Sequence, residues 1–132
     1  MSTPAQRSAL VAAARAVRRR AHAPYSNFTV GAAVLDEGGR ISLGCNVENA
    51  SYGLTVCAER NAIAAAVAAG ARRIRAVAVA SGAAPPASPC GACRQVIAEL
   101  GNADTEVLLA GPKGVAERTT LGALLPRAFA LD

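Results

Sequence analysis

The segment SPCGACRQV, residues 88–96, sets two cysteines, Cys90 and Cys93, three positions apart behind Pro89. That spacing suits a metal ion or a redox disulfide. A metal site of this kind needs at least three protein ligands. The chain has four cysteines and a single histidine from which to draw them. A metal reading therefore makes a strong demand on the fold: a cysteine far away in sequence must be carried to the point where Cys90 and Cys93 begin a helix.

The elements that could do this are legible. Thr3-Pro4-Ala5-Gln6 is a helix start, with Thr3 as cap, Pro4 at the first helical position and Gln6 closing a capping box. Leu10, Ala14, Val17 and Ala21 follow at helical spacing, and Arg15 and Arg19 fall on the opposite face. FTVGAAVL and RISLGCNV flank the turn residues DEGG and predict a hairpin. Residues 57–69 form a helical run that is apolar on nearly every side, which implies burial, and Gly70 stops it. IRAVAVA reads as a short buried strand, SGAAPPASP as a loop, and Cys90 to Leu100 as a third helix. EVLLAG and VAERTT around PKG predict a second hairpin, and LGALLP a short last turn before Phe129. The order α-β-β-α-β-α-β-β predicts an α/β protein, a sheet with helices packed on its faces. At 132 residues the chain is most simply one domain, 1–132. It needs no disulfides to fold, since a chain of this length buries roughly two thirds of its unfolded surface.

The second and third helices each follow a strand. If those strands run parallel, both helices begin at the same sheet edge, where open α/β folds place their ligands. Cys57 begins the second helix. Ser88 and Pro89 cap and start the third, with Cys90 and Cys93 in its first turn. Cys57, Cys90 and Cys93 can then hold one zinc with the fourth position open, the mark of a catalytic site. Cys45, at a strand end in LGCNV, would close the site and make it structural if it were a fourth ligand; a buried small hydrophobe is the commoner role. His22 falls in a loop away from the cysteine helices and is not assigned as a ligand. Glu59 stands two residues after Cys57. The helix dipole alone accounts for many such first-turn carboxylates, but beside a zinc-bound water a carboxylate can take a proton and pass it on. Three thiolates around Zn²⁺ leave the cluster at net −1. Two helix N-termini and the cations of Arg60 and Arg94 could offset it, the alternative being that both arginines point to solvent.

Composition narrows the class. The net charge of +5 is scattered, and its densest run, Arg18-Arg19-Arg20, sits at a helix end where the dipole favours cations, so no nucleic-acid partner is expected. The longest apolar run, AIAAAVAAGA, is about half the ~20 residues that a membrane span needs. The N-terminus lacks the layout of a secretion signal. Four cysteines without an export signal point to a reducing compartment, so the expected location is cytoplasmic. Hydrophobic residues make up 52% of the chain, but many are alanine, so the core is expected to be thin and subunit contacts would add burial. The four aromatics, Tyr25, Phe28, Tyr52 and Phe129, are each read first as core, the alternative being a surface on which a base stacks.

CAE followed by PCGAC resembles the zinc-dependent nucleoside deaminases, with their catalytic glutamate and PCxxC element. The resemblance extends to five blocks in order, APYSNFTVGAAVL, GCNVENASYG, CAERNAI, SPCGACRQV and LLPRAF, which look like the small homotetrameric cytidine deaminases over most of residues 23–129. C-A-E stands where the broader class has H-x-E. The resemblance implies a three-layer α/β/α fold around a five-stranded mixed sheet, one zinc per subunit, and a homotetramer with active sites at subunit interfaces. It implies hydrolysis of cytidine and deoxycytidine to uridine and deoxyuridine with release of ammonia, a reaction of pyrimidine salvage. Zinc hydroxide would attack C4 of the base. Glu59 would move the water's proton to N3 and help the amino group leave, while the Ala58 N–H holds the base carbonyl. Asn46 and Glu48 of NVE match the ribose-binding pair. Phe28 and Phe129 would flank the base, and Ala50 and Tyr52 would reach the ribose of a neighbouring subunit. The rivals within the class are a blasticidin-type deaminase and another free-nucleoside deaminase; the intact Asn46-Val47-Glu48 and Phe129 argue for cytidine. A deaminase acting on tRNA or DNA lacks a basic groove here. A zinc-stabilised binding module would want Cys45 as a fourth ligand and no role for Glu59.

Overall fold

Thr3 begins the first helix as its sequence requires. Its Oγ1 accepts from the Gln6 N–H at 3.1 Å, and Gln6 Oε1 accepts from the Thr3 N–H at 2.9 Å, so two N-terminal donors are satisfied reciprocally. The computed structural model describes residues 2–114 and 116–131. Helix α1 (Pro4–Val17) buries Leu10 and Ala14 and ends in a single 3₁₀ turn, Arg18–Arg20. Arg15 does not simply face solvent: its guanidinium donates to the Gly111 and Gly114 carbonyls and ties α1 to the loop that follows β4.

Five strands follow: β1 (Val30–Asp36), β2 (Ile41–Cys45), β3 (Ile74–Ser81), β4 (Glu106–Ala110) and β5 (Glu117–Thr120). Helices α2 (Ala58–Ala68), α3 (Gly91–Leu100) and the one-turn α4 (Leu121–Leu124) complete the fold. The strands form one mixed sheet in the order β2-β1-β3-β4-β5, in which β3 and β4 are parallel and the other pairs antiparallel. The β1–β2 hairpin pairs Gly31 with Cys45 and Leu35 with Ile41. Its turn is held by Asp36 Oδ1, which accepts from the N–H groups of Gly38 and Arg40. The second predicted hairpin is β4–β5; Val115, the first residue of its expected second strand, lies outside the described residues.

The strand directions decide where the site can be. Strand β1 runs against both β2 and β3, so β2 and β3 point the same way although β1 lies between them. Helices α2 and α3 leave the ends of these two strands and so begin at one edge of the sheet.

Side chains alternate across the sheet. Val34, Val77, Val79, Val107 and Leu109 pack with Ile63 of α2 and Ile97 of α3, while Leu35, Ala76, Ala78, Ala80 and Leu108 pack with Leu10 and Ala14 of α1. The layers are thus α1, sheet, then α2 with α3. The small residues let the helices approach closely. A Cβ on Gly31 would lie 2.0 Å from the Ala14 carbonyl oxygen, and one on Gly44 would lie 2.3 Å from the Ala62 nitrogen. Glycine at these two positions is what allows α1 and α2 to rest directly on the sheet.

Two expectations need correction. Helix α2 is not buried on nearly every side: Ala58, Glu59, Ala62, Ile63 and Ala66 are buried, but Ala64, Ala65, Val67 and Ala68 are exposed in the single chain. None of the aromatics is core. Their exposure ranges from 43% for Phe28 to 79% for Tyr52. Aliphatic and alanine side chains fill the interior, leaving the rings outside it.

Candidate zinc centre

Cys57 is the N-cap of α2 and Cys90 the N-cap of α3, and neither side chain caps its own helix. Both sulfurs stand at helix ends whose first N–H groups have no intrahelical partner. Ser88 does not cap α3 as expected; its hydroxyl instead accepts from Arg94. Cys93 follows one turn into α3 and is fully buried. The Cys57 and Cys90 sulfurs are 4.0 Å apart, those of Cys90 and Cys93 3.5 Å, and all three lie within 4.8 Å of one another. Tetrahedral zinc with Zn–S of about 2.3 Å places its sulfurs about 3.8 Å apart, so the three fit one ion. Among the described residues Cys45 and His22 are not part of this cluster, and a fourth protein ligand is not supplied.

The electrostatics point the same way. Burial pushes the Cys93 thiol far above its usual range, and the nearby Glu59 carboxylate and the other two sulfurs push it further. For Cys90, burial opposes ionisation, but hydrogen bonds from the Cys93 N–H, the two thiols and the Ala92 N–H outweigh it and lower the pKa. Three clustered thiols cannot all ionise against one another unless a cation balances them.

Glu59 lies in the first turn of α2 and is only 4% exposed. Burial raises the pKa of its carboxyl; hydrogen bonding to its own backbone and to Cys93, and the charge of Arg60, act against that rise without cancelling it. Arg60 Nη2 lies 3.5 Å from Cys57 Sγ and 3.5 Å from the Thr55 carbonyl oxygen, and the guanidinium also bonds Cys93 sulfur. Its buried Nε has no hydrogen-bond partner among the described residues. Arg94 behaves differently from expectation. Its three nitrogens donate to the Pro89 carbonyl at 2.8 Å, the Leu124 carbonyl at 2.7 Å and the Ser88 hydroxyl at 3.0 Å, and none reaches sulfur. Its fork binds the start of α3 to the end of α4, where unsatisfied carbonyls attract a cation more directly than the sulfurs behind it.

Near the end of β2, Asn46 and Glu48 hold the segment 25–30. Asn46 Oδ1 accepts from the Val30 N–H and its Nδ2 donates to the Phe28 carbonyl, both at 2.8 Å. Glu48 Oε1 accepts from the N–H groups of Tyr25 at 2.9 Å and Ser26 at 3.2 Å, and Oε2 accepts from the Ser26 hydroxyl. The alternatives of turn chemistry and a free surface charge therefore describe neither residue fully. Glu48, Tyr25, Ser26, Tyr52 and Thr55 line a recess of about 170 Å³. Ala50 and Tyr52 stand on an exposed loop, Ala58 is buried at the start of α2, and Phe129 is exposed near the C-terminus. Gln95 Nε2 holds the Phe129 carbonyl at 2.9 Å, and Asn61 Nδ2 holds that of Cys45 at 2.8 Å. Ser26, Gln95 and Asn61 escaped the sequence reading. Only Ser26 carried a local signal, a serine in a polar loop two residues before an aromatic.

A three-layer α/β/α protein whose two helix ends converge on three thiols beside a buried glutamate is, by class, one with a cysteine cluster positioned to bind a single metal ion. The family profile described as "Cytidine and deoxycytidylate deaminase zinc-binding region" matches residues 4–109. A cytidine deaminase of Sporosarcina psychrophila is 50% identical over 123 residues, covering 93% of this chain and 90% of that protein. One from Mycobacterium tuberculosis is 47% identical over 112 residues, covering 85% and 80%. The crystal structure of cytidine deaminase from Burkholderia pseudomallei superposes with a TM-score of 0.88 at 52% identity, over 92% of this chain and 98% of that one. The chain belongs to the cytidine and deoxycytidylate deaminase family.

Proposed function

We propose that this protein hydrolyses cytidine and deoxycytidine to uridine and deoxyuridine with release of ammonia, one zinc serving each subunit. The observation that carries the reading is a buried Glu59 beside Cys93, in the first turn of the helix whose N-cap is Cys57, next to the Cys57, Cys90 and Cys93 cluster in a chain of this family. Cys57, Cys90 and Cys93 would hold the zinc, whose chemistry when bound would be to activate a water for attack at neutral pH. Glu59 would take one proton of that water and deliver it to N3 as the oxygen bonds to C4, then carry the oxygen's remaining proton to the C4 amino group, so that the C–N bond breaks, the C4 carbonyl forms and ammonia leaves. Its burial suits it to hold a proton between these steps. In this reading the Ala58 N–H, at the positive end of α2, binds the base carbonyl. Arg60 tempers the negative charge of the thiolates. Arg94 acts on the same charge only through space, its hydrogen bonds being spent on carbonyls and Ser88. Asn46 and Glu48 take the ribose, with Phe28 and Phe129 beside the base.

The test is direct. Purified protein with zinc should lower the ultraviolet absorbance of cytidine as uridine forms, and the activity should vanish with a chelator and return with zinc. A protein that binds zinc but leaves cytidine and deoxycytidine unchanged would overturn the reading.

We also read residues 1–132 as a single cytoplasmic domain that assembles as a homotetramer, with no nucleic-acid or membrane partner. Support comes from the exposed Ala64, Ala65, Val67 and Ala68 on α2 and from the exposed rings of Phe28, Tyr52 and Phe129. Among the described residues no helix is long and apolar enough to cross a membrane. In this reading Ala50 and Tyr52 reach a neighbour's ribose, in addition to the recess Tyr52 lines within its own chain. Light scattering should give four times the 13.2 kDa chain mass; a fully active monomer would exclude sites shared between subunits.

A further inference from the structure

We propose that Ser26 is a positioning residue, which fixes the Glu48 carboxylate for the sugar through a hydroxyl whose direction the backbone dictates. The inference rests on the reading of Glu48 as a ribose ligand. A hydroxyl has one proton and two lone pairs. The Phe28 N–H donates to Ser26 Oγ at 2.9 Å, which takes up a lone pair. Ionised Glu48 can only accept, so the remaining Ser26 proton must go to its Oε2. This arrangement satisfies all three groups at once.

The backbone is shaped for it. Asn27 has a φ of 58°, in the left-handed region that asparagine tolerates, and this bends the chain so that the Phe28 N–H turns back onto Ser26. The Phe28 carbonyl is then held by Asn46. The two backbone groups of Phe28 are therefore both held, its carbonyl by Asn46 and its N–H, through Ser26, by Glu48.

Glutamate on a surface samples many rotamers, and binding a sugar would require freezing them. Here three donors from Tyr25 and Ser26 orient the carboxylate beside a recess in advance. The Ser26 hydroxyl is also the largest influence keeping the Glu48 pKa below its usual range, which favours the acceptor-only form that the geometry uses. Alanine at 26 would remove the side-chain donor and leave the two backbone donors in place.

The experiment compares Ser26→Ala, Ser26→Thr, Glu48→Ala and the Ser26→Ala/Glu48→Ala double variant, with cytidine and with 2′,3′-dideoxycytidine. In Ser26→Ala, kcat/KM for cytidine should fall about tenfold, on the scale of a lost hydrogen bond to a charged group. The loss should fall mainly on KM, with one zinc per subunit retained. Ser26→Thr keeps the hydroxyl and should return to within about twofold of the parent protein. The double variant should be no more than about twofold worse than Glu48→Ala, because Ser26 acts through Glu48. The Ser26→Ala loss should shrink to about twofold on the dideoxynucleoside, which lacks the hydroxyls to be recognised.

Three results would overturn the proposal: near-parental activity in Ser26→Ala beside an impaired Glu48→Ala, fully additive losses in the double variant, or loss of zinc or of the folded state in Ser26→Ala. Parental activity in Glu48→Ala itself would remove the sugar reading, and the positioning role with it.

Discussion

A Glu59→Gln variant retains zinc at one per subunit while its turnover of cytidine falls by about a thousandfold, within the range typical of lost acid–base catalysis. The substitution is close to isosteric, so the buried space beside Cys93 stays filled and the cluster keeps its shape. What disappears is the ability to take a proton from water and give it up at N3. Metal analysis and the absorbance assay on the same sample separate the two. Activity within tenfold of the parent would show that another group carries the proton, and the assigned mechanism would be wrong. Loss of zinc instead would mean that the carboxylate supports the metal rather than the chemistry.

Cys93→Ala should be as damaging by a different route. Cys93 is fully buried, and its sulfur lies 3.5 Å from that of Cys90. Removing it leaves two thiols, too few to hold the ion in a tetrahedral site with one open position. Zinc occupancy should drop to a small fraction and deamination to background. Binding free energy of a metal is also folding free energy. The thermal midpoint should therefore fall by roughly 5 °C or more, and a chelator should lower that of the parent protein in the same way. Cys45→Ala is the control: it should keep zinc and activity. If Cys45→Ala lost its metal instead, the site would be closed and structural, and the catalytic reading would fail.

The three-cysteine cluster was legible because its chemistry is concentrated in few residue types. With one histidine and four cysteines, a PCxxC turn at a helix start leaves few ways to complete a site. Glu59 was legible for a related reason: a carboxylate two residues after Cys57, in a helix that reads as buried, needs either a partner or a task. The arginines show the limit. Arg60 and Arg94 are alike in the sequence, each directly after a site element. Arg60 reaches Cys57 sulfur, whereas Arg94 is drawn to the carbonyls of Pro89 and Leu124. That difference depends on where α4 ends, thirty residues beyond Arg94, and no local pattern contains it. The aromatics show the same limit. Each reads first as core, but alanines across the α1 face and the close approach at Gly31 and Gly44 left the interior to small side chains.

By itself the sequence determined the order of elements, the capped first helix, both hairpins and the identity of the groups able to bind zinc. These are properties of short range: side-chain period, turn chemistry and the thiols themselves. The tertiary structure decided which of those groups meet. Strand β1, lying antiparallel between β2 and β3, makes its neighbours point one way, and only then do α2 and α3 start at the same edge. It also decided that Ser26 stands between Glu48 and Phe28. A hydroxyl's partners are set by distances of about 3 Å between segments twenty residues apart, and those distances exist only once the sheet has formed.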